Sequence, residues 1–202
     1  YSGVTISLMP YEDQLIEELI IKLRNNEIEN KPQLIIRVHP SDNGNRFDRL
    51  IEKYPEVKII IPGRAHSHSK ARSLLGSKDD ITLLMSTLYH SEVHINTAST
   101  MTLDAAILDK PIINICYEKK PEHQDRSFGV DIYKCTHYKP IIKSEGIKLA
   151  YSKKELIEYL NIYLNDNKVD SIGRRKIVSK VCGPVDGLSG SRIADSIISL
   201  LE

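Results

Sequence analysis

Apolar residues fall into two periods that take turns along the chain. Over residues 11–25, Leu15, Leu19 and Leu23 recur every four positions with Ile16 and Ile20 beside them, while Glu12, Asp13, Glu17 and Glu18 fill the other face, which predicts an amphipathic helix with acid near its N-terminus. Residues 34–38 then form a continuous apolar run broken only by Arg37, the pattern of a strand covered on both faces of a parallel sheet. Similar short runs at residues 4–8, 57–61, 93–96, 112–116 and 146–150 are the other predicted strands. Helices are predicted between them over residues 46–53, over 77–90 with Ser77 as N-cap and Asp79 and Asp80 in the first turn, and from about Ser99 onward. Ser152-Lys153-Lys154-Glu155 matches a capping box, and Leu156, Leu160 and Leu164 follow at helical spacing. Two further helices, residues 172–181 and 191–201, flank Cys182-Gly183-Pro184. Strand and helix alternating in this way predict an α/β fold, a Rossmann-like doubly wound parallel sheet with C-terminal helices, as one domain over residues 1–202.

Such sheets bind ligands outside the carboxyl ends of their strands. That rule gathers His39, Pro62-Gly63-Arg64 and Thr97-Ala98-Ser99-Thr100 along one edge. Residues 93–104 have the form of a strand, a small-residue turn and the mouth of a helix carrying hydroxyls, with Asp104 one turn in. Backbone N–H groups at a helix mouth, together with Ser and Thr hydroxyls, favour phosphate, and a carboxylate one turn deeper can accept from ribose hydroxyls. Thr97, Thr100 and Asp104 stand at i, i+3 and i+7, and share a face if the helix starts near Ser99. A plain N-cap at Ser99 or Thr100 is the competing reading of the same residues.

Composition narrows the function classes. A formal charge of +1 with 28 basic and 27 acidic residues, and no basic block, speaks against a nucleic-acid partner; Arg174-Arg175-Lys176 is expected to be a solvated helix face. No run approaches the roughly 18 apolar residues of a membrane span, and the opening has no signal-peptide pattern, so a cytoplasmic protein working at the inner face of the membrane is expected. Cys116, Cys135 and Cys182 lack C-x-x-C spacing and are expected as free, mostly buried thiols. No cofactor is called for. His66 and His68 stand at alternate positions without a third metal ligand at convincing spacing. Walker A, G-x-G-x-x-G and G-x-S-x-G patterns are absent from the sequence, which excludes the commonest nucleotide and hydrolase motifs. Residues 117–144 are expected to be a long irregular loop holding His123 and His137.

Taken in order, Arg37-Val38-His39-Pro40, Asn96-Thr97-Ala98-Ser99-Thr100 leading into Asp104-Ala105-Ala106, and Lys110-Pro111-Ile112 resemble the C-terminal, donor-binding half of GT-B glycosyltransferases. The resemblance is nearest to the CDP-glycerol glycerophosphotransferase-like group and to the bacterial sialyl- and Kdo-transferases that share a His-Pro motif. It implies that His39, Ser99 and Thr100 hold the phosphate of a nucleotide-linked sugar or polyol donor, with CMP or CDP favoured over UDP, and that Asp104 binds ribose. Thr97, from its place at the helix mouth, and Arg64, from its place at a strand end where it could neutralise phosphate, complete the expected donor site, and His39 is the one candidate for a catalytic role. The glycerophosphotransferases tend to carry Asp-Tyr-Ser-Ser where this chain has Asn96-Thr97-Ala98-Ser99-Thr100. The chain begins Tyr1-Ser2-Gly3 without Met, which reads as part of a longer protein whose N-terminal domain would contact the saccharide acceptor and supply the base. A sugar-nucleotide epimerase of the same build and a non-enzymatic binding module are the alternatives.

Overall fold

A computed structural model of the chain describes residues 1–62, 78–117 and 131–201. Its strands are β1 Ile35–Arg37, β2 Lys58–Ile60, β3 His94–Asn96, β4 Ile112–Ile115 and β5 Lys148–Ala150. The α-helices are α1 Glu12–Arg24, α2 Asp48–Lys53, α3 Lys78–His90, α4 Met101–Ile107, α5 Lys139–Lys143, α6 Lys153–Asn165, α7 Ser171–Ile177 and α8 Ser189–Ile198. β1 pairs with β2, and β3, β4 and β5 pair in that order, all parallel. Residues 1–3 join the two groups: Ser2 bridges both Arg37 and Asn96 in parallel, with Ser2 N–H donating to Ile95 O at 2.8 Å and Gly3 N–H to Arg37 O at 2.8 Å. Counting this opening segment as the first strand gives the spatial order 3-2-1-4-5-6, that of the Rossmann fold. Its topological switch point lies between residues 1–3 and β3.

Burial explains the two-sided winding. All of β3 and β4 is buried, and alternate residues of β4 serve opposite faces: Ile113 and Ile115 pack with Leu15 and Leu19 of α1 and Leu156 and Leu160 of α6, whereas Ile112 packs with Ala105 and Ala106 of α4 and Ile177 of α7. A third cluster, Ile16, Ile20, Ile36, Val38, Phe47, Leu50 and Tyr54, seats α1 and α2 on β1. One half of the predicted capping box is formed: Ser152 Oγ accepts from Glu155 N–H at 3.2 Å, while Glu155 Oε2 accepts from Tyr151 N–H, one residue before the cap, at 2.6 Å.

Five expectations are corrected. Residues 4–8 are a turn, not a strand, because side chains take the backbone groups a ladder would have used: Glu12 Oε1 accepts from Val4 N–H at 2.8 Å, and Arg46 donates to Val4 O at 2.9 Å and Met9 O at 2.6 Å. Glu12, read as part of a polar face, is fully buried to do this. Arg174, read as solvated, is also fully buried, since its guanidinium is taken up by Asp109 Oδ1 at 2.8 Å and by the carbonyls of Val169 and Asn167 at 2.7 and 2.9 Å. The stretch expected to be irregular over 117–144 has a 3-10 turn at Ile132–Lys134 and helix α5, because Tyr133, Tyr138 and Ile141 are drawn into the core. Of the three free thiols only Cys116 is buried; Cys182 is half-buried and Cys135 exposed. Among the described residues no helix is long and apolar enough to cross a membrane.

Candidate functional site

The turn after β3 is built on a buried amide and hydroxyl network. Asn96 and Asn114 sit in register on β3 and β4, and Asn114 Nδ2 donates to Asn96 Oδ1 at 2.7 Å. The Thr102 hydroxyl of α4 lies 3.0 Å from Asn96 Nδ2 and 2.9 Å from the Tyr138 hydroxyl, which in turn donates to Asn114 Oδ1 at 2.5 Å. Every polar group in this set has a partner, so the set fixes α4 against the two strands. Above it Ala98 adopts φ 41°, a left-handed conformation costly for an L-residue. Its N–H donates to the Tyr133 hydroxyl at 2.9 Å, and that hydroxyl donates to Ile115 O at 2.8 Å.

The opposite wall comes from the opening segment and β1. A Cβ on Gly3 would stand 3.2 Å from Arg37 O and 3.3 Å from His39 N, so glycine lets the two strand ends close together. His39 follows β1; its Nδ1 accepts from Ser41 N–H at 3.1 Å and lies 2.7 Å from Ser41 Oγ. An accepting Nδ1 puts the ring proton of the neutral imidazole on Nε2, where it has no partner among the described residues. Burial holds the His39 pKa below its ordinary value, with the Asp42 carboxylate raising it and Arg46 lowering it. Behind this wall Arg46 pairs with Glu12 at 2.6 Å and Asp42 at 2.7 Å, and the Tyr1 hydroxyl donates to Glu12 Oε1 at 2.8 Å.

The predicted residues separate into three groups. His39, Ser99 and Thr100 follow β1 and β3, the strands that flank residues 1–3, and so lie at the carboxyl ends of strands beside the switch point. Ser99 is the working cap of α4: its Oγ accepts from Met101 N–H at 3.2 Å, leaving its own proton to donate, while Thr100 is exposed and makes no side-chain cap bond. Thr97 lies outside the helix and does not share its face. It is buried beside the Tyr1 hydroxyl, with its Oγ1 in no aligned hydrogen bond. Asp104 is half-buried, one turn along α4 from Thr100; burial raises its pKa, and burial together with the Asp104 charge raises that of Cys182. Arg64, His66, His68 and His123 lie outside the described residues. The residues that sequence reasoning missed are Tyr133, Tyr138, Asn114, Glu12 and Arg46. Only Asn114, an amide inside an apolar strand, carried a local signal.

A cleft of about 520 Å³ opens at the other edge of the sheet, lined by Leu23, Ile28, Leu34, Val93, Leu160 and Leu164 among others. It adjoins the amino ends of β1 and β3, where doubly wound sheets do not place their ligands.

No protein-family model matches the chain, and no curated protein sequence matches it. Among solved structures the chain is similar to the Methanocaldococcus jannaschii UDP-GlcNAc 2-epimerase, determined in complex with UDP-GlcNAc and UDP, at 15% identity and a TM-score of 0.48. The match covers 87% of this chain and 42% of the epimerase, so the chain spans less than half that enzyme's length. The assignment of an α/β, Rossmann-like fold rests on the strand order and the two-sided packing.

Proposed function

We propose that the chain is the donor-binding half of a glycosyltransferase or polyol-phosphate transferase that uses a nucleotide-linked donor in the synthesis of bacterial surface polysaccharide. The observation that carries this reading is the switch point itself: His39, with a free Nε2–H, on one side, and the Ala98–Thr100 turn on the other. In this scheme the Thr100 N–H at the mouth of α4, the Ser99 and Thr100 hydroxyls and the His39 Nε2–H donate to phosphate oxygens. They stabilise the charge that grows on the departing phosphate. Asp104 accepts from the ribose hydroxyls, and an N-terminal domain brings the saccharide acceptor and the base. Burial favours the neutral His39 imidazole, whose Nε2–H is then the donor.

Calorimetry with CMP, CDP, UDP and GDP tests the proposal. Binding of a cytidine or uridine nucleotide is expected, weakened about tenfold by His39→Ala and by Ser99→Ala combined with Thr100→Ala, the size expected for lost hydrogen bonds to a charged ligand. No binding in the millimolar range sinks the reading, and unchanged affinity in both variants shows that the site lies elsewhere. Conversion of a donor sugar in the absence of any acceptor replaces transfer with epimerisation.

A further inference from the structure

We propose that Tyr133 is a positioning residue: its hydroxyl sets the left-handed turn at Ala98 and so the placement of the Thr100 N–H and of the Ser99 and Thr100 hydroxyls at the carboxyl end of β3. The ligand side of this inference rests on the donor-site reading above; the conformational side does not. A left-handed conformation disfavours an alanine by roughly tenfold or more in population, and Ala98 has no side-chain group to offset that. Something outside the turn has to hold it. The one group bonded to the Ala98 N–H is the Tyr133 hydroxyl at 2.9 Å.

That hydroxyl is itself fully determined. Its single proton goes to Ile115 O at the end of β4, 2.8 Å away, so a lone pair is what remains for Ala98. The ring is buried and packs edge-to-face on Tyr138, with centroids 5.3 Å apart and planes at 85°. The two tyrosines divide the work. Tyr138 bonds to Thr102 and Asn114, which hold α4 on the sheet, whereas Tyr133 joins the end of β4, at Ile115 O and the neighbouring Cys116 thiol, to the turn backbone. Replacing Tyr133 by Phe keeps the packed ring and removes the hydroxyl that makes these contacts. Downstream of Ala98, the Ser99 N–H donates to Asn96 Oδ1 at 3.4 Å, a long bond that survives only while the turn keeps its shape.

The test compares wild type with Tyr133→Phe, Ala98→Gly, the double variant and Tyr138→Phe, by amide hydrogen exchange, thermal midpoint and affinity for CDP and UDP. Tyr133→Phe is expected to speed exchange at Ser99 at least tenfold relative to Ile113 in the core, and to weaken nucleotide binding about tenfold. Glycine adopts positive φ freely, so Ala98→Gly placed in the Tyr133→Phe protein is expected to restore both Ser99 protection and affinity. Tyr138→Phe is expected to speed exchange at Ser99 and Ile113 together, as a loss of core stability does. Two results overturn the proposal: Ser99 exchange in Tyr133→Phe that only tracks Ile113, or a double variant no better than Tyr133→Phe. If wild type binds neither nucleotide, the donor-site reading fails while the exchange pattern still decides the role of Tyr133.

Discussion

Burial raises the Glu12 carboxyl from its ordinary 4.5 to about 7, against the opposing pull of Arg46. The folded chain therefore binds an extra proton across that window, and the stability Glu12 contributes is complete below about 4.5 and lost as pH rises through about 7. His94 runs the other way. Burial lowers its imidazole from 6.5 to about 3, so the unfolded chain takes the proton first and stability falls as pH drops from 6.5 towards 3. The two slopes oppose each other between 4.5 and 6.5. Urea denaturation across that interval should therefore show stability rising more steeply with pH in Glu12→Gln than in His94→Leu, on top of the rise that the Tyr1 α-amine, lowered by burial from 8.0 to about 5, contributes in both. Parallel pH profiles in the two variants would refute the assignment. Neither residue announced itself in the sequence: Glu12 has the spacing of a solvated acid, and its burial follows from Arg46, 34 positions away.

At the level of elements, the docking of α7 is the most tightly specified contact. A Cβ on Gly173 would fall 2.3 Å from the Glu145 carbonyl carbon and the Gly146 nitrogen, so the backbones touch and only glycine fits. Gly173→Ala is expected to cost about 2 kcal/mol or more, as overpacking does. Arg174→Met, which strands Asp109 and two carbonyls, should cost about 2–3 kcal/mol, the lower part of the range for a broken buried pair because Asp109 is 40% exposed. Chemical denaturation measures both, and a loss near zero in Arg174→Met would mean that solvent replaces all three bonds. Helices with local signals were legible in the sequence: α1 from its four-residue repeat, α6 from Ser152 and Glu155. The buried arginine of α7 was not, because a basic triplet reads as solvated until the helix phase is fixed by Ile177, three residues on, which is fully buried. The turn at residues 4–8 failed as a strand for the same reason: its partners, Glu12 and Arg46, are brought to it by tertiary structure.

For the whole molecule, the parallel sheet was legible because strands buried on both faces are apolar throughout. Its central member was not, since residues 1–3 are too short to show a period and are recognised only by their bonds to β1 and β3. The candidate site divides in the same way. His39, Ser99 and Thr100 follow from the rule that ligands lie at strand carboxyl ends, whereas the Tyr133 bridge, which reaches 35 positions back to Ala98, has no local signature. The proposed donor site lies at the carboxyl edge of the sheet, opposite the cleft of about 520 Å³ at its amino edge. Amide chemical-shift mapping during titration with CDP and UDP tests that placement most directly. The largest shifts are predicted at Gly3, Ser41, Ser99 and Thr100 around the switch point, with little change at Gln33, Leu34 and Val93 beside that cleft. Shifts concentrated at Gln33, Leu34 and Val93, or none at all at millimolar nucleotide, would contradict it.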